Sequence, residues 1–302
     1  VVLPVFEEQA VVRTLIPDIV RTLQAIEPSF EVVAVDDGSK DGTLETLSAL
    51  RREHPDRLWV AHHAVNRGNG AALRTGIRLA RGEIVITMDA DGQHLPGDIP
   101  RLLEAIPPSD LVIAARTAGY RGGFLRGLAN AFYNRFASWL ARRKIDDLTS
   151  GFRAMRREAV LHFLPLFPEG FSAPTTTTLA FLKAGYNVTF VPIPVGRRTA
   201  GKSKIRPWED GSRFVMLILR MTMLYDPLRI FLPMGVGLSV LGVAAWAAGW
   251  IQAQRLVFPN SAIFLFSAAI LVWLLGFISD QISSTRIHYH GDETVSMVDG
   301  DP

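Results

Sequence analysis

A mostly parallel α/β sheet with helices on both faces, followed by an interfacial amphipathic helix and a two-helix transmembrane hairpin, is the architecture this 302-residue sequence predicts. Three observations carry it. Short β-rich runs alternate with helical stretches in the first part of the chain, the order expected of strand–helix–strand units. Acidic and small polar residues gather directly after those strands, where open α/β sheets collect their ligands. Charge-free stretches long enough to cross a bilayer appear only after Arg229.

In chain order, strands are predicted at residues 1–5, 31–35, 58–61, 83–88 and 110–114, with helices between them at 9–25, 43–53, 70–80 and 98–106. The sequence opens at Val1, without methionine and already inside the first strand, so residues upstream are expected. Around residues 206–225 the apolar Trp208, Phe214, Leu217, Ile218, Met221 and Leu224 leave a polar stripe through Asp210, Arg213 and Arg220, as in a helix lying in the membrane interface. A second stretch, 132–144, carries Phe132, Phe136 and Trp139 and ends in Arg142, Arg143 and Lys144. It reads equally as an interfacial helix or as an ordinary amphipathic helix packed on the domain.

Residues 230–251 and 256–279 are charge-free runs of 22 and 24 residues, each able to cover a hydrocarbon core of roughly 30 Å. Arg213, Arg220 and Arg229 precede the pair and Arg286 follows it, whereas Arg255 alone sits in the connection, which places both ends and the large N-terminal part in the cytoplasm. The expected division is a cytoplasmic α/β domain at 1–205, the interfacial helix at 206–228, the hairpin at 229–283 and a cytoplasmic tail at 284–302.

Composition narrows the chemistry. Hydrophobic residues make up 48% and charged residues 20%, with mean hydropathy +0.20, too apolar for a disordered chain and high for a fully soluble one. A formal charge of +3 is too small for a nucleic-acid binder held by a dense basic surface. The absence of cysteine removes disulfides, thiolate metal sites and cysteine nucleophiles. Neither a GxGxxG turn nor a GxxxxGK[ST] loop occurs, which argues against dinucleotide cofactors and P-loop chemistry.

The second strand ends in Val35-Asp36-Asp37-Gly38-Ser39 and the fourth in Met88-Asp89-Ala90-Asp91-Gly92-Gln93-His94. Two carboxylates one residue apart at a strand end can turn toward a common point, and hard oxygen ligands suit Mg²⁺ or Mn²⁺ shared with a diphosphate. One Asp-X-Asp taken singly is more often a solvated turn than a metal site. Two acidic clusters on neighbouring strand ends are a stronger pointer to a nucleotide diphosphate.

These motifs, with Leu3-Pro4-Val5-Phe6-Glu7-Glu8 before them and Arg198-Thr199-Ala200-Gly201-Lys202-Ser203-Lys204 after them, resemble a family 2 glycosyltransferase of the GT-A fold, most closely the dolichyl-phosphate mannose synthase group of polyprenyl-phosphate glycosyltransferases. The resemblance implies that Pro4, Phe6, Glu8, Asp37, Ser39 and Asp89 bind the donor nucleotide, and that Asp89 and Asp91, helped by Gln93, hold the divalent ion. Phe6 and Glu7 stand where the family usually has Tyr and Asn, so the base is left open between GDP- and UDP-sugars. Asp147-Leu148-Thr149-Ser150-Gly151-Phe152-Arg153 resembles the segment whose aspartate faces the sugar; alone, Asp147 would read as a helix cap or turn. Either Asp91 or Asp147 is expected to orient the reaction. Arg116, Arg126 and Asn130 fall where the family binds the lipid phosphate, joined by Arg198, Ser203 and Lys204 from a loop. As bare sequence these are surface or headgroup-binding charges.

The resemblance thus implies an inverting, metal-dependent transfer of a hexose, mannose or glucose, from a nucleotide diphosphate sugar to dolichyl or undecaprenyl phosphate. A processive polysaccharide synthase and a non-catalytic sugar-nucleotide-binding membrane adaptor are the rivals. No Gln-X-X-Arg-Trp motif follows the domain, which weighs against the first, and retention of both acidic clusters weighs against the second. Homo-oligomerisation stays open.

Overall fold

The computed structural model describes residues 1–116, 124–168, 173–194, 215–216, 218–220, 222–223, 226–254 and 258–286. It divides into two compact units, Val1–Leu217 and Ile218–Pro302.

The first unit is built on one seven-stranded sheet: β1 (Val2–Val5), β2 (Val32–Asp36), β3 (Leu58–His62), β4 (Ile84–Thr87), β5 (Leu111–Arg116), β6 (Arg153–Arg156) and β7 (Val188–Ile193), in the spatial order β3-β2-β1-β4-β6-β5-β7. All neighbours are parallel except β6, which runs antiparallel between β4 and β5. The helices are α1 (Gln9–Ile26), α2 (Thr43–Glu53), α3 (Asn69–Leu79), α4 (Ile99–Leu103), α5 (Phe124–Ala141), α6 (Arg157–Phe163) and α7 (Ala173–Lys183).

Strand alternation explains the layers. Leu3, Val5, Val32 and Ala34 point into a core shared with α1, α2 and α4, from Val12, Ile16 and Ile19 through Leu47 to Ile99 and Leu102. Val2 and Val35 point the other way, against α3, where a Cβ on Gly76 would come within 2.4 Å of the Val2 side chain. Helices therefore cover both faces, as the sequence predicts. The five predicted strands and four predicted helices are all present with ends shifted by a few residues; β6 and β7 are additional.

Register sets the site. Val5 pairs with Asp36, Asp36 with His62, and Thr87 with both Val2 and Arg153. The carboxyl ends of β1, β2, β3, β4 and β5 and the amino end of the reversed β6 consequently share one edge of the sheet. At β7, Pro192 pairs with Ala115 on an edge strand, where a residue without an N–H is tolerated.

The second unit contains α8 (Leu228–Ala253) and α9 (Asn260–Arg286), both apolar and, at 26 and 27 residues, about 39 Å and 40 Å long at 1.5 Å per residue. Gly235, Gly242 and Gly249 lie seven apart along α8, and a Cβ on them would strike Trp273, Phe266 and Pro259 in turn. The descending partner numbers show an antiparallel hairpin seated on a glycine seam. Leu241, Ile251, Phe264 and Leu271 are exposed on its outside. Both helices are long and apolar enough to cross a membrane. Of the stretch expected as an interfacial helix, residues 215–216, 218–220 and 222–223 are helical, and residues 206–214, 217, 221 and 224–225 lie outside the described residues.

Candidate active site

The edge where the strands end is assembled from four segments. After β1, the 6–8 turn is pinned to the β2–α2 connection: Glu7 N donates to Ser39 Oγ (2.9 Å) and Glu8 N to Thr43 Oγ1 (3.1 Å). Gly38, at φ +74°, lets that connection press against the backbone of Val65 and Asn66, where a Cβ would stand 2.6 Å away. Ser39 thus serves as a backbone clamp for the turn carrying Phe6 and Glu8.

Asp36 and Asp37 are both buried, and they differ in how they are used. Asp37 accepts from the His63 ring (2.7 Å), from Arg67 N (3.0 Å) and from Gly68 N (2.7 Å), so both oxygens fasten the loop entering α3. That position also sets its negative charge at a helix amino end. Asp36 binds the His62 ring through Oδ2 (2.8 Å), while its buried Oδ1 has no hydrogen-bond partner among the described residues. The two histidines behind these carboxylates, and Asn69 at the start of α3, are members of the site that the sequence reading did not assign. Their only signal was the pair of adjacent histidines ending a strand beside the Asp-Asp strand end.

Beyond β4, the Asp91 carboxylate accepts Gln93 N (3.1 Å), and Asp89 Oδ1 receives a long contact from Asn69 Nδ2 (3.4 Å). The other face of Asp89 rests on Gly151, where a Cβ would lie 2.4 Å from Oδ2. Thr87 holds Gly151 in place by donating to its carbonyl (2.8 Å). This contact unites the Asp89–Asp91 strand end with the 147–151 turn, segments about sixty residues apart in sequence.

Asp147 is the centre of that turn. Arg116, the last residue of β5, donates Nε–H to its Oδ2 (2.7 Å) and Nη2–H to its Oδ1 (2.9 Å), a bidentate pair that also reaches Thr149 Oγ1. Backbone N–H groups of Thr149 and Ser150 add two bonds at 3.1 Å each. Burial alone would push the Asp147 carboxyl up, but the hydrogen bonds and charge of Arg116 outweigh it and hold the group below the ordinary carboxylate range. Arg116, assigned through the family resemblance to the acceptor phosphate, here completes the Asp147 turn, so a phosphate at this point would share or displace that pair.

Behind the turn sits Arg153, only 2% exposed. It donates to Ser150 O (2.6 Å), Thr178 Oγ1 (2.9 Å) and Leu148 O (3.2 Å). Burial lowers its pKa to about 9, opposed by the charges of Asp147 and Asp89, so at neutral pH it remains a cation facing both carboxylates. His94, buried and tilted against Phe152 with ring centroids 5.0 Å apart, is also pushed below its ordinary pKa, first by burial and then by Arg116, against Asp91, Asp147 and Asp98.

The donor set fits a hard divalent cation. Asp89 and Asp91 offer carboxylates at one strand end, and buried Asn69 Oδ1 and Ser150 Oγ nearby have no protein partner among the described residues. No group of three His, Asp or Glu side chains converges as a complete metal cage among the described residues. Two carboxylates with the remaining ligands supplied by phosphate is the usual pattern for Mg²⁺ with a nucleotide. Arg126 and Asn130 fall in the first turns of α5, and their side chains, like all of Arg198, Ser203 and Lys204, lie outside the described residues.

Comparison with known proteins places the fold and the hairpin in families. Residues 1–163 match Glycosyl transferase family 2, and residues 226–285 match the GtrB C-terminal hairpin. A polyprenol monophosphomannose synthase of Mycolicibacterium smegmatis is 32% identical over 217 residues, covering 68% of this chain and 80% of the relative. A dolichol-phosphate mannosyltransferase of Pyrococcus furiosus is 33% identical over 218 residues, covering 68% of this chain and 58% of the relative. In fold, the chain is similar to glucosyl-3-phosphoglycerate synthase of Mycobacterium tuberculosis, solved with Mn²⁺ and uridine-diphosphate-glucose, with a TM-score of 0.55 and 23% identity over 73% of this chain and 77% of that one. A match over more than half of its length, set on a sheet whose acidic strand ends meet at one edge, establishes that the chain belongs to glycosyl transferase family 2.

Proposed function

We propose that this protein transfers a hexose, mannose or glucose, from a nucleotide diphosphate sugar to a polyprenyl phosphate with inversion, at the cytoplasmic face of a membrane. The observation that carries the reading is the meeting of Asp89, Gly151 and the Asp147 turn at one sheet edge, in a chain that continues into a hairpin long enough to span a bilayer. Relatives named for polyprenol, undecaprenyl-phosphate and dolichol-phosphate mannose transfer support the acceptor class.

In this reading the 6–8 turn, Asp37 and Ser39 shape the nucleotide subsite, and Asp89, Asp91 and Gln93 would hold Mg²⁺ or Mn²⁺ on the diphosphate. Bound there, the cation supplies neutralisation of charge on the leaving group. A phosphate monoester is already an anion at neutral pH, so its oxygen attacks the anomeric carbon without a strong base. The new C1–O–P bond forms as the bond to the diphosphate breaks, and the nucleoside diphosphate leaves with the electron pair. The chain's task is placement and electrostatics. Asp147, kept ionised by Arg116, is suited to accept hydrogen bonds from sugar hydroxyls rather than to take a proton. Arg126, Asn130 and the 198–204 loop would receive the lipid phosphate, and the arginines flanking the hairpin support the cytoplasmic orientation.

The test is transfer of label from a panel of GDP- and UDP-sugars into organic-extractable product, with detergent-solubilised protein, undecaprenyl or dolichyl phosphate, and Mn²⁺ against an EDTA control. EDTA-sensitive labelling by one donor supports the reaction and names the sugar. Absence of labelling from every donor, with sugar-nucleotide binding intact, overturns it.

A further inference from the structure

Arg153 is the largest fully buried side chain among the described residues, and the reaction proposed above gives it no part. A guanidinium taken out of water is costly, so its partners show what it is kept for. Among the described residues, none that it bonds is a carboxylate. Nε donates to Ser150 O (2.6 Å), Nη2 to Leu148 O (3.2 Å) and Nη1 to Thr178 Oγ1 (2.9 Å). Both ends of this grip are fixed. Arg153 pairs with Thr87 on β4 and Ile113 on β5, and Thr178 donates its own hydroxyl to Pro174 O (3.0 Å) within α7.

The two carbonyls connect this cation to the site. A trans peptide points its C=O and its N–H in opposite directions. The carbonyl of Leu148 accepts from Arg153, and the N–H at the far side of that same peptide, Thr149 N, donates to Asp147 Oδ1 (3.1 Å). One peptide thus lies between a buried cation and a buried carboxylate with its dipole aligned to both, and bonds joined in such a chain strengthen one another. The carbonyl of Ser150 belongs to the peptide that leads into Gly151, the residue on which Asp89 rests. Arg153 therefore grips the peptides that place both carboxylates. Arg116 also grips Asp147, but from a wetter position, with its side chain 25% exposed. A cation in contact with water exchanges partners at small cost, and an enclosed one does not.

We infer that Arg153 is a positioning residue for the transfer: through the 148–149 and 150–151 peptides it fixes Asp147 and the Gly151 backing of Asp89, so that Asp147 keeps its place while Arg116 turns to the acceptor phosphate. The inference rests on the reaction proposed above. The two arginines around Asp147 then have different duties, Arg116 toward the acceptor and Arg153 toward the turn.

The test uses the full chain in detergent, with rates of lipid labelling expressed per molecule that binds GDP or UDP with Mn²⁺, so that unfolded chains are not counted. Thr178→Val is close to isosteric and keeps the Arg153 charge, removing only the oxygen that aims the guanidinium. It should lower kcat about 10-fold with KM for donor and polyprenyl phosphate within about twofold of the parent, and Thr178→Ser should restore the rate. Arg153→Lys keeps a cation without the planar fork and should lower kcat about 100-fold, again at steady KM. Arg116→Lys should instead raise KM for polyprenyl phosphate. If Arg153→Lys does not fold, the Thr178 pair decides alone. Thermal midpoints that fall while kcat per binding-competent molecule stays within about twofold of the parent overturn the inference, as does a raised acceptor KM in Thr178→Val. A parent that binds the nucleotide yet labels no lipid overturns the reaction and the inference together, whereas an active parent with unaffected variants overturns the inference alone.

Discussion

Replacing Gly151 by alanine isolates the contact on which the site is built. The new Cβ would stand 2.4 Å from Asp89 Oδ2 and 2.8 Å from Asp89 Cγ, whereas ordinary contact begins near 3.4 Å. The mismatch is about 1 Å, and a close-packed interior offers no slack to absorb it. The 151 backbone is the stiffer party: its carbonyl accepts the Thr87 hydroxyl at 2.8 Å, and Phe152 behind it is wholly buried. Asp89, half-buried at a strand end, is the group that moves. A displacement of about 1 Å in a positioned group costs on the order of 100-fold in rate, or about 2.7 kcal/mol in activation free energy. Initial rates of lipid labelling at saturating donor and Mn²⁺, with the thermal midpoint measured in parallel, would show a fall of that order in kcat at a nearly unchanged midpoint. A kcat within about threefold of the parent would refute the reasoning, because the carboxylate would then not be set by this contact.

Asp91→Asn removes one of two charges from the proposed cation site; turnover should fall by at least about 100-fold, and isothermal titration with Mn²⁺ and nucleoside diphosphate should show weaker binding. Arg116→Ala leaves Asp147 buried without its partner and should cost about 3 kcal/mol in urea unfolding of the solubilised protein near pH 7. The two proteins should also respond oppositely to acid. In the parent, the lowered Asp147 pKa stabilises the fold above the ordinary carboxylate value of 3.8, and this stability is lost as pH falls through the lower folded value. In the variant, burial raises that pKa, so acidification toward pH 5 relieves part of the penalty; parallel pH profiles would sink this account. Arg153→Met should destabilise by about 3 kcal/mol or more, since it strips donors from Ser150 O, Leu148 O and Thr178 Oγ1 while leaving Asp147 and Asp89 without their buried cation. The urea midpoint reports it directly.

What could be read from sequence was whatever is encoded by residue type at a strand end. Asp36-Asp37-Gly38-Ser39 and Asp89-Ala90-Asp91 stand out because carboxylates seldom follow β-branched runs without reason, and the structure puts both at one edge. The strand β6 was not legible. Its four residues, Arg-Ala-Met-Arg, carry no alternating apolar signal, and the buried Arg153 reads as a surface charge until its carbonyl partners are seen. Pairings across long separations were equally hidden. Nothing local to Arg116 predicts Asp147 thirty-one residues later, and nothing local to Asp37 predicts that its oxygens fasten residues 63–68. Gly151 was quoted as part of a motif, but its reason, a carboxylate lying where a side chain would be, exists only in three dimensions.

The glycine seam of the hairpin has a consequence for how sequence variation in this protein should be judged. Gly235, Gly242 and Gly249 set the distance between α8 and α9, since ring and proline atoms of Trp273, Phe266 and Pro259 occupy the space their side chains would need. Inside a bilayer, lipid tails are as apolar as any leucine, so helix association relies on close fit rather than on hydrophobicity. A leucine at residue 242 would therefore make the segment more apolar and a better candidate span on any hydropathy scale, while wedging the two helices apart. Genetic variants in this hairpin cannot be ranked by hydropathy: the most damaging would be those that such a ranking scores as improvements.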